Sequence, residues 1–104
     1  MKLIRRPRRL RKNEVIRKML RENHIQVEDL IYPMFVMFGE KKKTPVPSMP
    51  GVFNYSLDEY VLALKEVVEA GIPAILLFGI PASKDPEGTG AYDPQGIIQE
   101  AVRI

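Results

Sequence analysis

Leu30-Ile31-Tyr32-Pro33-Met34-Phe35-Val36-Met37-Phe38 is a nearly unbroken apolar run that stops at Gly39 and a charged segment. A strand with one wet face alternates apolar and polar residues, whereas a strand covered on both faces does not. The run is too short to cross a membrane as a helix. Its aromatic residues and its proline argue against a buried helix. It reads as a strand covered on both faces, with Pro33 at its entry and regular pairing from Met34, because proline has no amide proton to give a ladder. A parallel sheet with helices outside is the simplest setting for such a strand.

A second run, Ala74-Ile75-Leu76-Leu77-Phe78-Gly79-Ile80, has the same character. Between the two lies a well-marked helix. Ser56 and Glu59 have capping-box spacing, and Tyr55 and Tyr60 have the spacing of a hydrophobic staple. Tyr60, Val61, Leu64, Val67 and Val68 form its apolar stripe, Gly71 stands where a left-handed residue ends a helix, and Pro73 forbids continuation. Asp93-Pro94 reads as the N-cap and first residue of a last helix, with Ile97, Ile98, Ala101 and Val102 as its stripe. The order strand, helix, strand, helix predicts one complete βαβ crossover of right-handed sense. The turn from helix to strand is minimal, but both strand-to-helix connections, 39–55 and 81–92, are long. The first is proline-rich and reads as a stiff loop. In α/β proteins the carboxyl ends of the strands carry the chemistry, so these loops mark the working face.

The chain has 104 residues and a net charge of +3, which hides a division. Residues 1–23 carry +8 and residues 24–104 carry −5. The basic character thus belongs to an arm and the body is mildly acidic. Residues 1–12 are dominated by like charge and read as extended. A short amphipathic helix follows, with Asn13 as N-cap and Val15, Ile16, Met19 and Leu20 as a narrow stripe. So short a helix needs something to dock on. There is no cysteine, which excludes disulfides and cysteine-based metal sites within this chain. No long apolar span and no signal-peptide pattern is present, so a cytoplasmic protein is expected and no membrane partner.

The candidate chemistry is thin. No G-x-G-x-x-G or Walker-type glycine loop follows the first strand. Gly88-Thr89-Gly90 reads as turn geometry rather than an anion cradle. His24 is the only histidine and, with no ligand cluster near it in sequence, reads as a linker residue. Asp85 and Glu87 could form a carboxylate pair, but their polar loop favours solvated charge. Lys65 and Lys84 are possible nucleophilic amines. Neither stands in the apolar or cationic setting that lowers a lysine pKa. Phe78, near the end of the second strand, is a candidate pocket residue and equally a core residue. The arm lacks aromatic residues to stack bases and any nucleic-acid motif, so nucleic acid is not the expected partner.

Several segments nevertheless stand in a recognisable order. Arg6-Pro-Arg-Arg-Leu-Arg11 is followed by Asp29-Leu-Ile-Tyr-Pro-Met-Phe-Val36 and Pro47-Ser-Met-Pro-Gly51. Leu77-Phe-Gly-Ile-Pro81 comes next, then Lys84-Asp85, Gly88 and Tyr92-Asp93-Pro94-x-Gly96. In this the chain resembles the N-terminal third of the porphobilinogen synthases, also called 5-aminolevulinate dehydratases. The resemblance implies an α/β fold, a partial (β/α)8 TIM barrel holding its first two βα units. It implies a basic helical arm over 1–28 and the start of the barrel domain over 29–104. It implies a lyase that condenses two 5-aminolevulinate molecules to porphobilinogen in heme and other tetrapyrrole synthesis. It also implies homo-oligomers joined through the arm, and zinc or magnesium in the full-length enzyme.

The family's catalytic lysines, metal segment and substrate-carboxylate arginines are expected beyond Ile104. No catalytic, substrate-binding or metal residue therefore carries over to this chain, which is expected to be inactive alone and to associate or be partly ordered in isolation. The Lys41-Lys42-Lys43 run matches no family motif. The alternative reading is a small non-catalytic α/β interaction module with a basic binding arm.

Overall fold

Both apolar runs form strands, and they lie side by side. The computed structural model describes residues 2–104; Met1, the first residue of the expected arm, lies outside them. Strand β1 spans Ile31–Met37, β2 Lys43–Pro45, β3 Phe53–Ser56 and β4 Ala74–Ile80. Helix α1 spans Glu14–Met19, α2 Leu57–Glu69, α3 Thr89–Tyr92 and α4 Ile97–Arg103. The chain is mixed α/β, with one four-stranded sheet in the order β2-β3-β1-β4. β3, β1 and β4 are mutually parallel, while β2 runs antiparallel to β3.

The core lies on one face of this sheet. Met34 and Val36 of β1 are buried with Tyr60 and Val67 of α2 and with Ile97 and Ala101 of α4. Ile75 and Leu77 of β4 pack against them. Alternation along a strand sends the remaining side chains to the other face. There no helix covers them. Leu76, Phe78 and Ile80 are exposed and Phe35 and Met37 are half-buried. The expectation that both strands are covered on two faces therefore fails within this chain. The residues are apolar on both sides, but the chain supplies helices for only one.

Other expectations are also corrected. Connection 39–55 is not plain loop: it contains β2 and β3 and a turn closed by Val46 N–H to Val52 O (2.9 Å) and Val52 N–H to Met49 O (3.1 Å). Pairing of β1 with β4 begins at Ile31 opposite Ala74, so Pro33 lies inside the ladder, opposite Leu76. The ladder tolerates it because β1 meets β3 only from Phe35 onward, leaving its other side open at Pro33. The last helix begins at Ile97 with Gly96 as N-cap, not at Asp93. Asp93 instead accepts from the Gln95 amide at 2.9 Å, a local turn that competes with helix initiation. Val68 and Val102 lie outside the packed stripes and are exposed.

Two local expectations match. Asn13 caps α1, its Oδ1 accepting from Ile16 N–H at 2.9 Å. Gly71 adopts φ +82° past the end of α2, the left-handed geometry that glycine alone enters without strain. The arm stands away from the body. Residues 2–30 are exposed apart from the half-buried Ile16, and the radius of gyration is 21.6 Å, against about 13 Å for a compact chain of this size.

Candidate functional site

Because β1 and β4 are parallel, their carboxyl ends fall on one side of the sheet, and both long connections start there. The first is fastened to the start of α2. Lys41 N–H donates to Asp58 Oδ2 at 2.8 Å, and Lys42 N–H donates to Ser56 Oγ at 2.9 Å. The Ser56 hydroxyl lies 3.2 Å from Lys42 O and 2.5 Å from Asp58 Oδ1, the shorter contact carrying its proton. Ser56 is fully buried. Its hydroxyl does not cap α2, so the capping box with Glu59 is not formed. The hydrogen bond from Ser56, and after it the one from the Lys41 amide, holds the Asp58 carboxyl below the ordinary carboxylate range. Lys41 itself takes φ +50°. Lys43 folds back over the rings of Phe53 (4.5 Å) and Tyr55 (5.9 Å). A cation over an aromatic face is a favourable contact, and it holds the third lysine against the hairpin.

The second connection and α4 border an open cleft of about 410 Å3 lined by Gly79, Pro81, Lys84, Asp85, Ile98 and Gln99 among others. Gly79 makes the close approach of β4 to α4 possible: a Cβ there would lie 2.7 Å from Ile97 Cγ2 and 2.8 Å from Ile98 Cγ1. Gln99 Nε2 donates to Ala91 O at 2.7 Å, while its Oε1 is buried with no protein partner. Asp85 Oδ1 accepts from Thr89 N–H at 2.9 Å, so it bonds the first residue of α3 rather than pairing with Glu87. Hydrogen bonding from Thr89, through its hydroxyl first and its amide second, lowers the Asp85 carboxyl.

The structure does not bring the other sequence candidates together. Lys65 sits on the exposed side of α2, Lys84 and Glu87 on the exposed loop and His24 in the exposed arm. Phe78 lies on the uncovered sheet face, stacked on Phe35, and is not a core residue. Gly88 takes φ +64° in the turn that starts α3, as turn geometry demands. Among the described residues no group of three or more His, Cys, Asp or Glu side chains could hold a metal. The residues present therefore do not fit a zinc or magnesium centre. Among the described residues no helix is long and apolar enough to cross a membrane. Sequence reasoning missed the Ser56–Asp58 fastening of Lys41 and Lys42. Its signal, Ser-x-Asp after a strand, is shared with an ordinary helix cap.

A largely parallel sheet with elaborated connections at its carboxyl ends defines the class, a mixed α/β chain. Its family is specific. The family model described as "Delta-aminolevulinic acid dehydratase" matches residues 4–104, and the chain belongs to that family. It is 50% identical over 99 residues to the delta-aminolevulinic acid dehydratase of Methanothermus sociabilis, covering 95% of this chain and 31% of that protein. The Synechocystis sp. enzyme of the same name is 53% identical over 96 residues, covering 92% of this chain and 29% of the relative. Among solved structures, the Toxoplasma gondii delta-aminolevulinic acid dehydratase (porphobilinogen synthase), in complex with the reaction product porphobilinogen, superposes with a TM-score of 0.82. That match has 34% identity and covers 96% of this chain and 29% of that one. The chain thus spans about three tenths of the length of the relatives it matches.

Proposed function

We propose that this chain provides the first two βα units of the (β/α)8 barrel of a porphobilinogen synthase, the lyase that condenses two 5-aminolevulinate molecules to porphobilinogen in tetrapyrrole synthesis. Residues 1–28 are its basic arm and 29–104 the opening of its barrel. One observation carries the reading. The family match runs nearly end to end, and it falls on two parallel strands whose inner face is apolar and uncovered. A barrel interior is a packed core of such inward side chains, contributed by alternate strands.

The chain's role is structural and it is silent alone. A lysine that attacks a ketone must be partly neutral near neutral pH, which takes desolvation or a neighbouring cation. Lys65 and Lys84 are solvent-exposed. Zinc or magnesium belongs to the remainder of the family enzyme. The arm serves a homo-oligomer: its charge of +7 over residues 1–28 opposes the −4 of residues 29–104, and α1 presents Val15, Met19 and Leu20 to a surface of another subunit. The setting is cytoplasmic.

The test is direct. Purified 104-residue chain incubated with 5-aminolevulinate yields no porphobilinogen in a colorimetric assay. Product formation by this chain alone overturns the proposal.

A further inference from the structure

We propose that the basic arm binds a compact, multiply charged phosphate anion, of the pyrophosphate or tripolyphosphate kind, in a concavity walled by Arg5, Arg6, Arg8 and Arg11. The site lies wholly in the arm, so it stands or falls independently of the barrel reading given under Proposed function.

The four arginines, with Leu3 and Pro7, line one open concavity of about 600 Å3. The sequence gathers them locally. Pro7 fixes the backbone between Arg6 and Arg8. Arg9–Arg11 form a 3-10 turn in which Arg11 N–H donates to Arg8 O at 3.0 Å. Side chains three positions apart eclipse in such a turn, which brings Arg8 and Arg11 to one side. Arg17 Nη1 donates to Arg11 O at 3.4 Å, and Asn13 caps the helix that follows, so the turn is tied to α1. Short-range structure thus collects charges that a free chain would spread apart.

The arm does not neutralise them. Residues 1–23 hold two acids, Glu14 and Glu22. Glu14 pairs with Lys18 at 3.1 Å. The other ion pair among the described residues joins Arg103 to Glu100 in α4. Like charges around one concavity repel, and an anion seated between them replaces that repulsion with attraction.

The chemistry selects the occupant. A guanidinium presents a rigid fork of N–H donors that meets two phosphate oxygens at once. One carboxylate, with two oxygens and a single charge, cannot answer four such forks, whereas a chain of two or three phosphates can. Nucleic acid fits less well, because the first aromatic residue is Tyr32 and the arm has no ring on which a base could stack. A bilayer surface is flat on this scale and meets the rim of a concavity rather than its interior.

The experiment titrates the 104-residue chain with sodium tripolyphosphate in a calorimeter at about 0.15 M ionic strength, where exposed charges more than about 8 Å apart are largely screened. One saturable site per chain is expected, and the arginine Nε–H resonances of the arm are expected to shift with the same midpoint. Arg8→Gln with Arg11→Gln is expected to weaken binding by at least about tenfold, because two charge-assisted forks are lost. Lys65→Gln with Lys84→Gln removes the same charge from exposed positions of the body and is expected to change affinity by less than about twofold. Arg8→Lys with Arg11→Lys keeps the charge but not the fork, and its affinity is expected to fall between the two. Equal weakening by the two glutamine pairs means a diffuse field rather than a site and overturns the proposal. Absence of saturable binding also overturns it. So does binding to phosphatidylglycerol vesicles or to duplex DNA without binding to tripolyphosphate. Self-association that protects the arm and leaves tripolyphosphate without effect assigns the arginines to a second copy of the chain, and it overturns the proposal as well.

Discussion

The rings of Phe35 and Phe78 stack at 5.2 Å between centroids, on the side of the sheet that no helix covers. One residue along the same strand, Met34 is fully buried against α2 and α4. Adjacent positions on β1 thus belong to opposite environments, and substitution will separate them. Phe78→Ala removes a stacked pair worth about 0.5–1.5 kcal/mol from a face that water already reaches. Met34→Ala empties a packed site and costs about 2–5 kcal/mol. Urea unfolding of both variants is expected to show the larger loss for Met34→Ala. Equal losses mean that the Phe78 face is covered in solution.

Ser56 gives a second test. Its hydroxyl accepts from the Lys42 amide and donates to Asp58, and it is fully buried. Ser56→Ala leaves that amide without its partner, which costs about 1–3 kcal/mol. Ser56→Thr keeps the hydroxyl and is expected to retain more of the stability. If the alanine variant unfolds at the same urea concentration as the original chain, Ser56 does not hold this connection.

Much of this architecture was legible beforehand, and the gaps have physical causes. The two apolar runs declared themselves as strands through length and composition, and Gly71 declared the end of α2 through its position before a proline. The short strands β2 and β3 did not. Lys43-Thr44-Pro45 has two β-poor residues, and its pairing depends on Phe53–Ser56 lying opposite. Neither piece signals a strand by itself. Asp93 misled because an aspartate serves a local turn as well as a helix cap. The uncovered face was misjudged for a deeper reason: apolar residues record the environment a strand was shaped for, and the sequence holds no record of which chain supplies it. At the candidate site, residue types were visible but their fastening was not, since the bonds of Ser56 and Asp58 to Lys42 and Lys41 join positions 14 and 17 residues apart.

Acid will loosen the first connection. Asp58 is held below the ordinary carboxylate range by Ser56 and by the Lys41 amide. A carboxylate with a depressed folded-state pKa contributes stability above its unfolded value and loses it as pH falls through the folded value. The fastening is therefore intact at neutral pH and released below the ordinary carboxylate range. Chemical shifts of the Lys41 and Lys42 amides are expected to titrate there. Asp58→Asn is expected to remove that titration while Asp85, lowered by Thr89, still titrates at its own amide neighbours. Titration of Lys41 that survives the substitution assigns the effect elsewhere.

Gly79 is the tightest point between sheet and helix. An added Cβ would stand 2.7 Å from Ile97 Cγ2 and 2.8 Å from Ile98 Cγ1, closer than real side chains approach. Ile97 is buried in the core and cannot swing into solvent. Gly79→Ala must therefore push α4 off β4. Forcing extra atoms into a packed contact costs about 1–3 kcal/mol, more than alanine recovers by restricting the unfolded chain, about 0.4–1 kcal/mol. The net effect is destabilising, and it widens the cleft beside the 81–92 loop. Pairing Gly79→Ala with Ile98→Val relieves part of the clash, so a double-mutant cycle in urea is expected to give less loss than the two single changes added together. Additive losses place the strain away from Ile98.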